Sequence, residues 1–537
     1  MIDFLKTYKA RPWPRLEVPP MKRANLLALV LLTVGLIAAG WYIWFSGPIQ
    51  VEYFIALGLV IPLAFFLKSR FIALIGLLCF QVILAFIFIG NSDYAIIPIV
   101  VLIGAIIAFE SPMVIYVLLV FAIWADIAIV GVTHQNRATM IASAGLFLGW
   151  LFREVLRSTS VKRAIHFPEF LPAIILLGWA IIGSFIWGLI PFSEAWENLK
   201  TLIVSTTIFS VSVLIINNSR KVYFAFYTWI CIGLYAALFV FFGPMLGYQP
   251  PDIEAWGAAY SIFGAHKNWI ASILGLSFFL NLAAIYQVKK MFLKIGLSLC
   301  LVTVFFALVY QQSKGALAGL VVGLIFFWIV DSIESWRNKG PLRAVSRIFL
   351  FFSLLLIIAM FIYLIGVSEY LGGYYPLFFE PLSTPTMQAR IMLWNISYHI
   401  LSNESHIIRG LGFGAFEFLG PYYNMPPEIA EGIYVHPHSL YLDIIIHLGI
   451  VGLALFLWIV ISILIKLWRS YVNASDPKYR YLCLGLLCGT LSFCMHCVID
   501  FEVAHIVSFW LFMGLCVAAI NVYKMNNSSA NAEWSVQ

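Results

Sequence analysis

The chain has 537 residues, of which 62% are hydrophobic and only 11% are charged, and its mean hydropathy is +0.96. Soluble domains carry roughly 25% charged residues, so this composition excludes a soluble globular protein. The composition predicts an all-α polytopic membrane protein, because a helix satisfies its own backbone hydrogen bonds inside the lipid bilayer.

Apolar segments recur along the chain at lengths that suit a bilayer, which takes about 20 residues of helix to cross. We predict about 12 to 16 transmembrane helices. The sixteen candidate segments are 26–45, 51–67, 71–90, 94–109, 112–132, 138–152, 170–190, 200–216, 222–243, 270–288, 291–310, 315–330, 348–366, 439–465, 481–498 and 505–522.

Lysine and arginine fix the orientation, because they favour the cytoplasmic side of a membrane. With the N-terminus inside, all but six of the 32 fall in predicted cytoplasmic segments. The net charge of +7 therefore reflects topology and does not indicate a nucleic-acid partner. The six external cations are Arg137, Lys200, Lys267, Lys314, Arg390 and Arg409.

The predicted spans divide the chain into four parts. Residues 1–25 and 523–537 are expected to be cytoplasmic, and residues 26–243 form a first group of transmembrane helices. Residues 244–522 form a second membrane region that contains a long external loop, residues 368–438.

One stretch of the long loop reads as a helix. Thr384 can cap it and Pro385 suits its first position, which places Arg390 in the second turn. The glycines of "GLGFGAF" follow no predicted strand, so we interpret them as turn formers rather than as a phosphate-binding loop.

Two histidines precede the predicted helix that closes this loop, in "YVHPHSLYLDIIIHLGIVG". If Pro437 is the first helical residue, His438 lies in the first turn, where the helix dipole favours a neutral imidazole. A general base must be neutral, so His438 is the candidate base and His436 a second candidate. The two could also ligate zinc, but no third ligand stands at a suitable spacing, so no metal is predicted.

Other polar residues in the second region have simpler interpretations. His399, His406 and His447 are read as solvated surface residues. Cys494, His496 and Cys497 are read as apolar packing rather than a metal site. Asp500 and Glu502, at an outer helix end, are read as surface charge, with the alternative that they orient a cation or contact the acceptor. The eight cysteines lie in apolar segments, so no disulfide framework is predicted.

Three motifs resemble the O-antigen ligase and polysaccharide polymerase superfamily of bacterial inner membranes. They are "SIFGAHKNWIASILG", "QQSKGALAGLVVG" and the loop "ARIMLWNISYHILSNESHIIRGLGFGAFEF" with its closing "HPHSLYLDIIIHLGIVG". The similarity covers roughly Ser261 to Val522, whereas residues 26–243 share only hydrophobicity with the family, and sixteen spans exceed the family's usual dozen or so.

The resemblance implies an inverting, metal-independent glycosyltransferase without cofactors. Its donor would be a glycan on undecaprenyl diphosphate and its acceptor a saccharide, either lipid A core or a growing polysaccharide, on the periplasmic face. His438 and Arg390 would be catalytic. The diphosphate-binding candidates are Lys314, Arg390, Lys267, Lys200 and Arg409, and the supporting residues are Asn268, His436 and Ser313.

Two alternatives remain open. A flippase or transporter of lipid-linked glycans would place ionisable residues near the bilayer midplane, where this sequence has almost none. A protein O-oligosaccharyltransferase is also compatible with the motifs, although no large soluble C-terminal domain follows them.

Overall fold

The computed structural model describes helical residues between 113 and 123 in part, and then residues 170–242, 267–311, 313–339, 385–404, 406–423, 425, 436–501 and 506–534. The chain divides into two compact units, residues 1–99 and residues 100–537. Every described residue belongs to the second unit. The predicted spans 26–45, 51–67, 71–90, 94–109, 138–152 and 348–366 lie outside the described residues.

The described residues form helices joined by turns, with no strand among them, so the all-α prediction is confirmed for this part of the chain. The helices are α1 (Phe170–Ile186), α2 (Phe192–Ile215), α3 (Ser219–Phe242), α4 (Lys267–Gln287), α5 (Met291–Tyr310), α6 (Lys314–Lys339), α7 (Pro385–Asn403), α8 (Ala415–Leu419), α9 (Leu440–Asn473), α10 (Pro477–His496) and α11 (Val507–Trp534).

Six of these helices are long and apolar enough to cross a membrane, namely α3, α4, α5, α6, α9 and α11. Two shorter apolar helices, 170–186 and 199–215, fall on predicted spans as well. The predicted span 481–498 coincides with α10, whose first turn carries Lys478 and Arg480. The polytopic character expected from composition is therefore confirmed.

Helix α10 lies near the centre of the bundle, packed against α4, α6 and α9. Small residues allow this close approach, as in many membrane bundles. A Cβ atom on Gly319 of α6 would overlap the carbonyl oxygen of Ser492 in α10, and one on Gly323 would overlap the ring of Phe279 in α4. On another side of the bundle, α11 packs against α2.

Helix α9 is broken at Gly449, whose backbone adopts φ 70° and ψ −174°. A break inside a membrane helix exposes backbone polar groups that need partners. Residues 407–412 supply them: the N–H groups of Ile450 and Val451 donate to this segment, and the N–H groups of Leu411 and Gly412 donate back to α9. The segment 407–412 is thus fastened to the broken helix by backbone hydrogen bonds.

The "GLGFGAF" glycines are turn formers, as predicted. Gly410, Gly412 and Gly414 all have positive φ. The Cα position of Gly410 also lies against the backbone of Gly449, where a Cβ atom would overlap the carbonyl of His447. Glycine is therefore required here both for its backbone conformation and for the contact.

The start of α7 agrees with the prediction from sequence, since Pro385 is its first residue. The apolar side of α7 packs with α8 and the residues around Ile190 and Ile446 in a second, smaller core. Tyr423 then closes the loop by donating a 2.7 Å hydrogen bond to Glu404, which raises the pKa of the Tyr423 hydroxyl.

Polar side chains cluster at both ends of α6. Ser313 precedes its first residue, and Glu334 lies about 20 residues further on, which corresponds to about 30 Å of helix. Three other helix ends lie near Ser313, namely the start of α4, the start of α9 and the end of α10. The predicted site residues at the starts of α4 and α6 and just before α9 therefore share one end of the bundle.

Candidate functional site

The segment before α9 (residues 436–439) and the turn after α10 (residues 497–501) lie side by side, and we call them together the α9–α10 junction. The N–H of Leu440 donates to the carbonyl oxygens of Cys497 and Asp500 at 3.0 and 3.1 Å. These bonds hold the entry of one helix against the exit of another, residues about 60 positions apart in the chain.

His438 and Asp500 meet in this junction. Nδ1 of His438 lies 3.2 Å from Oδ1 of Asp500. The carboxylate is buried, with 3% of its side chain exposed, whereas 22% of the His438 side chain is exposed. A buried carboxylate beside one ring nitrogen fixes the orientation of the imidazole.

The position of His438 differs from the prediction. Helix α9 begins at Leu440 with Ser439 as its N-cap, so Pro437 is not the first helical residue and His438 lies before the helix. The backbone of His438 adopts φ 50°. Side-chain contacts to Asp500, rather than a place in the first turn, therefore define the environment of this imidazole.

Of the described residues other than glycine, two have positive φ, His438 and Phe501 at 69°. Each such residue costs roughly 1–3 kcal/mol, and it persists only where its surroundings enforce it. The N–H of His438 donates to Nδ1 of His436 at 3.1 Å, and the two rings lie 4.0 Å apart. The two strained residues are thus His438 itself and Phe501, the residue that follows Asp500.

A second histidine lies on the other side of the carboxylate. Nε2 of His496 is 3.9 Å from Oδ2 of Asp500 and 3.2 Å from Oγ of Ser313. Gly315 makes room for this ring, since a Cβ atom there would overlap it. The sequence of contacts Ser313, His496, Asp500, His438 connects the start of α6 with the start of α9, and Lys314 is the first residue of α6.

One interpretation from the sequence is therefore wrong and another is incomplete. Asp500 is not a surface charge, because it is 2% exposed. The His496 ring packs against Phe493 and Phe501, but it also contacts Ser313 and Asp500. Neither was selected because each lies in or beside an apolar segment whose partners come from elsewhere in the chain. The combination His-x-x-x-Asp at a helix end was the available signal.

Arg390 is buried on α7, with 9% of its surface exposed. Its Nε atom has no hydrogen-bond partner within the described part of the chain. Burying a guanidinium without an anionic partner is costly, so a group of this kind points to a bound anion. Arginine presents a fork of donors that matches phosphate.

The remaining predicted cations differ from one another. Arg409 is half-buried, and its Nη2 atom lies 3.1 Å from Nε2 of His406. Lys200 and Lys314 are half-buried and engaged in contacts, and Lys267 begins α4, where its side chain is outside the described set. Asn268, the next residue, is 2% exposed, and its Nδ2 atom has no partner in the described ranges.

His447 was expected to be a solvated surface residue, and this is wrong. It is 3% exposed, and its ring stacks on Phe413 at 5.2 Å. Its nitrogen atoms lie 3.4 Å from Asp443 and 3.7 Å from Glu417. His447 therefore joins α8 to the first half of α9, while His399 is exposed as predicted and His406 is half-buried against Arg409.

The reason for expecting no metal site also fails. No third ligand was visible in the sequence, but the structure brings Asp500 to His436 and His438, with one ligand atom from each lying within 4.8 Å of the others. This cluster can hold a proton or a metal ion.

Comparison with known proteins gives this geometry a family context. Residues 299–457 match the family model described as O-Antigen ligase. The chain is 23% identical over 403 residues to the teichuronic acid biosynthesis protein TuaE of Bacillus subtilis (strain 168), an alignment that covers 73% of this chain and 75% of the relative. Residues 299–457 therefore resemble an O-antigen ligase domain, and both similarities support the predicted relationship to the O-antigen ligase and polysaccharide polymerase superfamily.

Proposed function

We propose that this membrane protein transfers a glycan from undecaprenyl diphosphate to a hydroxyl group of an acceptor sugar, with inversion and without a metal ion, on the periplasmic face of the inner membrane. The family supports the coarser statement, a membrane glycosyltransferase of the O-antigen ligase or polymerase type. The observation that carries the finer proposal is the contact between His438 and buried Asp500.

In this proposal His438 accepts the proton of the attacking hydroxyl. Nδ1 faces Asp500, so Nε2 is the nitrogen that takes the proton. The oxygen lone pair then forms the new bond at the anomeric carbon, and the bond to the diphosphate breaks from the opposite side. The negative charge of Asp500 stabilises the imidazolium that results, and His436 holds the backbone of His438 through its Nδ1 atom.

The leaving diphosphate needs positive charge more than it needs a general acid. Arg390 supports this role because it is buried and its Nε atom has no partner in the described residues. Lys314 stands beside Ser313, which contacts His496 and so belongs to the same chain of residues as His438. We assign Lys267, Lys200 and Arg409 secondary positions along the bound donor and Asn268 a hydrogen bond to it.

The acceptor is proposed to be a saccharide. The Bacillus subtilis relative is named for teichuronic acid biosynthesis, which favours polysaccharide assembly over protein glycosylation.

Reconstitution tests this function directly. The full-length protein in liposomes receives a synthetic undecaprenyl diphosphate glycan and a saccharide acceptor, with a chelator present throughout. We expect a glycan product of inverted anomeric configuration and release of undecaprenyl diphosphate. A strict requirement for a divalent ion would overturn metal independence. Movement of unreacted donor across the bilayer, without product, would instead support a flippase.

A further inference from the structure

The side chains of His436, His438 and Asp500 form a compact set of potential metal ligands. The proposed transfer reaction uses these residues without a metal ion. One ligand atom from each lies within 4.8 Å of the others. His436 and Asp500 are buried, and His438 is half-buried. Two imidazoles and one carboxylate make up a ligand set that zinc uses when a fourth position stays open to water.

The distance between His438 and Asp500 matches the separation of two ligands on a zinc ion. Ligands about 2.0–2.1 Å from a tetrahedral zinc ion lie about 3.3 Å from each other. Nδ1 of His438 and Oδ1 of Asp500 are 3.2 Å apart, so an ion can replace the proton between them with little movement of these two groups. His436 supplies the third ligand atom of the set, which lies within 4.8 Å of the other two.

The surroundings prepare these groups for a metal. Nδ1 of His436 accepts a hydrogen bond from the N–H of His438 at 3.1 Å, so this nitrogen is unprotonated, and a metal bound to it would replace this hydrogen bond. His496 lies 3.9 Å from the second oxygen of Asp500 and helps to orient the carboxylate. Partners that orient metal ligands in this way typically increase affinity.

We propose that His436, His438 and Asp500 bind a divalent transition metal ion such as zinc, and that the bound ion inhibits the enzyme. With a metal on Nδ1, neutral His438 must carry its proton on Nε2 and cannot accept one from the acceptor hydroxyl. Imidazole ligands select zinc, cobalt, nickel or copper over magnesium and calcium, which prefer oxygen ligands. Binding stands on geometry alone, whereas inhibition rests on the proposed function.

Cobalt(II) is the probe for binding. The full-length protein, purified without a polyhistidine tag and stripped with a chelator, is placed in nanodiscs and titrated while its visible absorption is recorded. We expect one saturable cobalt ion with the spectrum of a four- or five-coordinate site, displaced by zinc but not by magnesium.

Ligand variants test the location. His436→Gln and Asp500→Asn should each weaken cobalt binding by at least about tenfold, since loss of a ligand costs no less than loss of an outer partner. His399→Ala removes an exposed histidine on α7 and should bind as the unaltered protein does. Two ligand variants are used so that a folding defect in one, detected by thermal unfolding, leaves the other decisive. Unchanged cobalt binding in a folded ligand variant, or no saturable binding at all, would overturn the site.

A second readout separates this site from the proposed reaction. Zinc should suppress glycan transfer by the unaltered protein, and a chelator should restore it. The His436→Gln protein should need at least about ten times more zinc for the same fractional inhibition, measured against its own zinc-free rate. Saturable cobalt binding at these ligands with no effect on transfer would overturn inhibition and the proton-accepting role of His438, while supporting the metal site.

Discussion

The two ends of the helical bundle both hold clusters of polar side chains, and they satisfy those groups differently. At the end opposite the α9–α10 junction, Glu334 of α6 accepts hydrogen bonds from Arg480 and, at 2.5 Å, from Tyr471, and Asp331 accepts one from Tyr481 at 3.2 Å. Every one of these contacts joins a carboxylate to a donor of fixed type.

The junction end has a different character. Its carboxylate contacts histidines, whose donor and acceptor roles change with protonation, and its backbone holds the positive φ angles of His438 and Phe501. Arg390 and Asn268, both buried, carry polar atoms without partners in the described ranges. The Glu334 end therefore pairs its carboxylates with fixed donors, although Gln287 and Ser335 there also carry buried polar atoms without partners in the described ranges. The junction end differs in its backbone strain and in its carboxylate–histidine contacts, which are typical of a binding site.

The largest effect that would test this contrast comes from His438→Ala. Removing the proton acceptor should lower glycan transfer by about a thousandfold, within the 10²–10⁴ range of general base catalysis. The rate of product formation in proteoliposomes measures this, and His399→Ala serves as the matched control, expected to retain its activity. A His438→Ala protein that is folded and nearly fully active would exclude proton transfer by this residue.

Arg390→Gln should lower the transfer rate by roughly a hundredfold, because the leaving diphosphate loses a preorganised donor. Arg390→Lys should recover part of that loss, since lysine restores the charge but not the bidentate fork. Thermal unfolding of both variants is measured beside the rate. If glutamine and lysine behave alike, charge at position 390 is irrelevant and the arginine has a packing role.

Asp500→Ala should reduce transfer by about a hundredfold, the low end of the range for general base catalysis, because it removes the orienting charge but leaves the base. The separation of kcat from KM distinguishes this from a general structural defect: a misoriented base should lower kcat and leave the KM for the donor nearly unchanged in protein with unaltered thermal unfolding. Activity lost only in proportion to the unfolded fraction would argue against a positioning role.

The smallest effect on transfer is expected at the opposite end. Glu334→Gln breaks a partly exposed ion pair with Arg480 and should destabilise the protein by about 1 kcal/mol. The rate of transfer by the folded protein should equal that of the unaltered protein within the error of the assay. Thermal unfolding, measured in parallel, gives the change in stability. Strong inactivation without unfolding would show that the two ends are coupled through α6.

Several local features were predictable because they depend on neighbouring residues. Pro385 begins α7 since its fixed φ suits a first helical turn, and the glycines at 410, 412 and 414 adopt positive φ, as turn formers do. The break at Gly449 was not predictable in the same way. A lone glycine in an apolar run is common, and only the segment 407–412, about 40 residues earlier, stabilises the open backbone.

The residues of the candidate site also fall into those that sequence motifs predicted and those that only the structure revealed. His438, Arg390, Lys314 and Ser313 were selected from motifs, whereas the partners that give His438 its chemistry, Asp500 and His496, were set aside. Their isolation in an apolar stretch concealed them. The expectation that a helix dipole governs His438 failed for a related reason, since the exact first residue of α9 depends on bonds from Leu440 to the turn after α10.

The sequence by itself determined the class of molecule, a helical membrane protein, and the family whose motifs it carries, because hydrophobicity and short motifs are properties of contiguous residues. Tertiary structure alone decided which carboxylate meets which histidine. Contacts between residues some 60 or 180 positions apart depend on how helices pack, and neither hydrophobic periodicity nor local spacing encodes that packing.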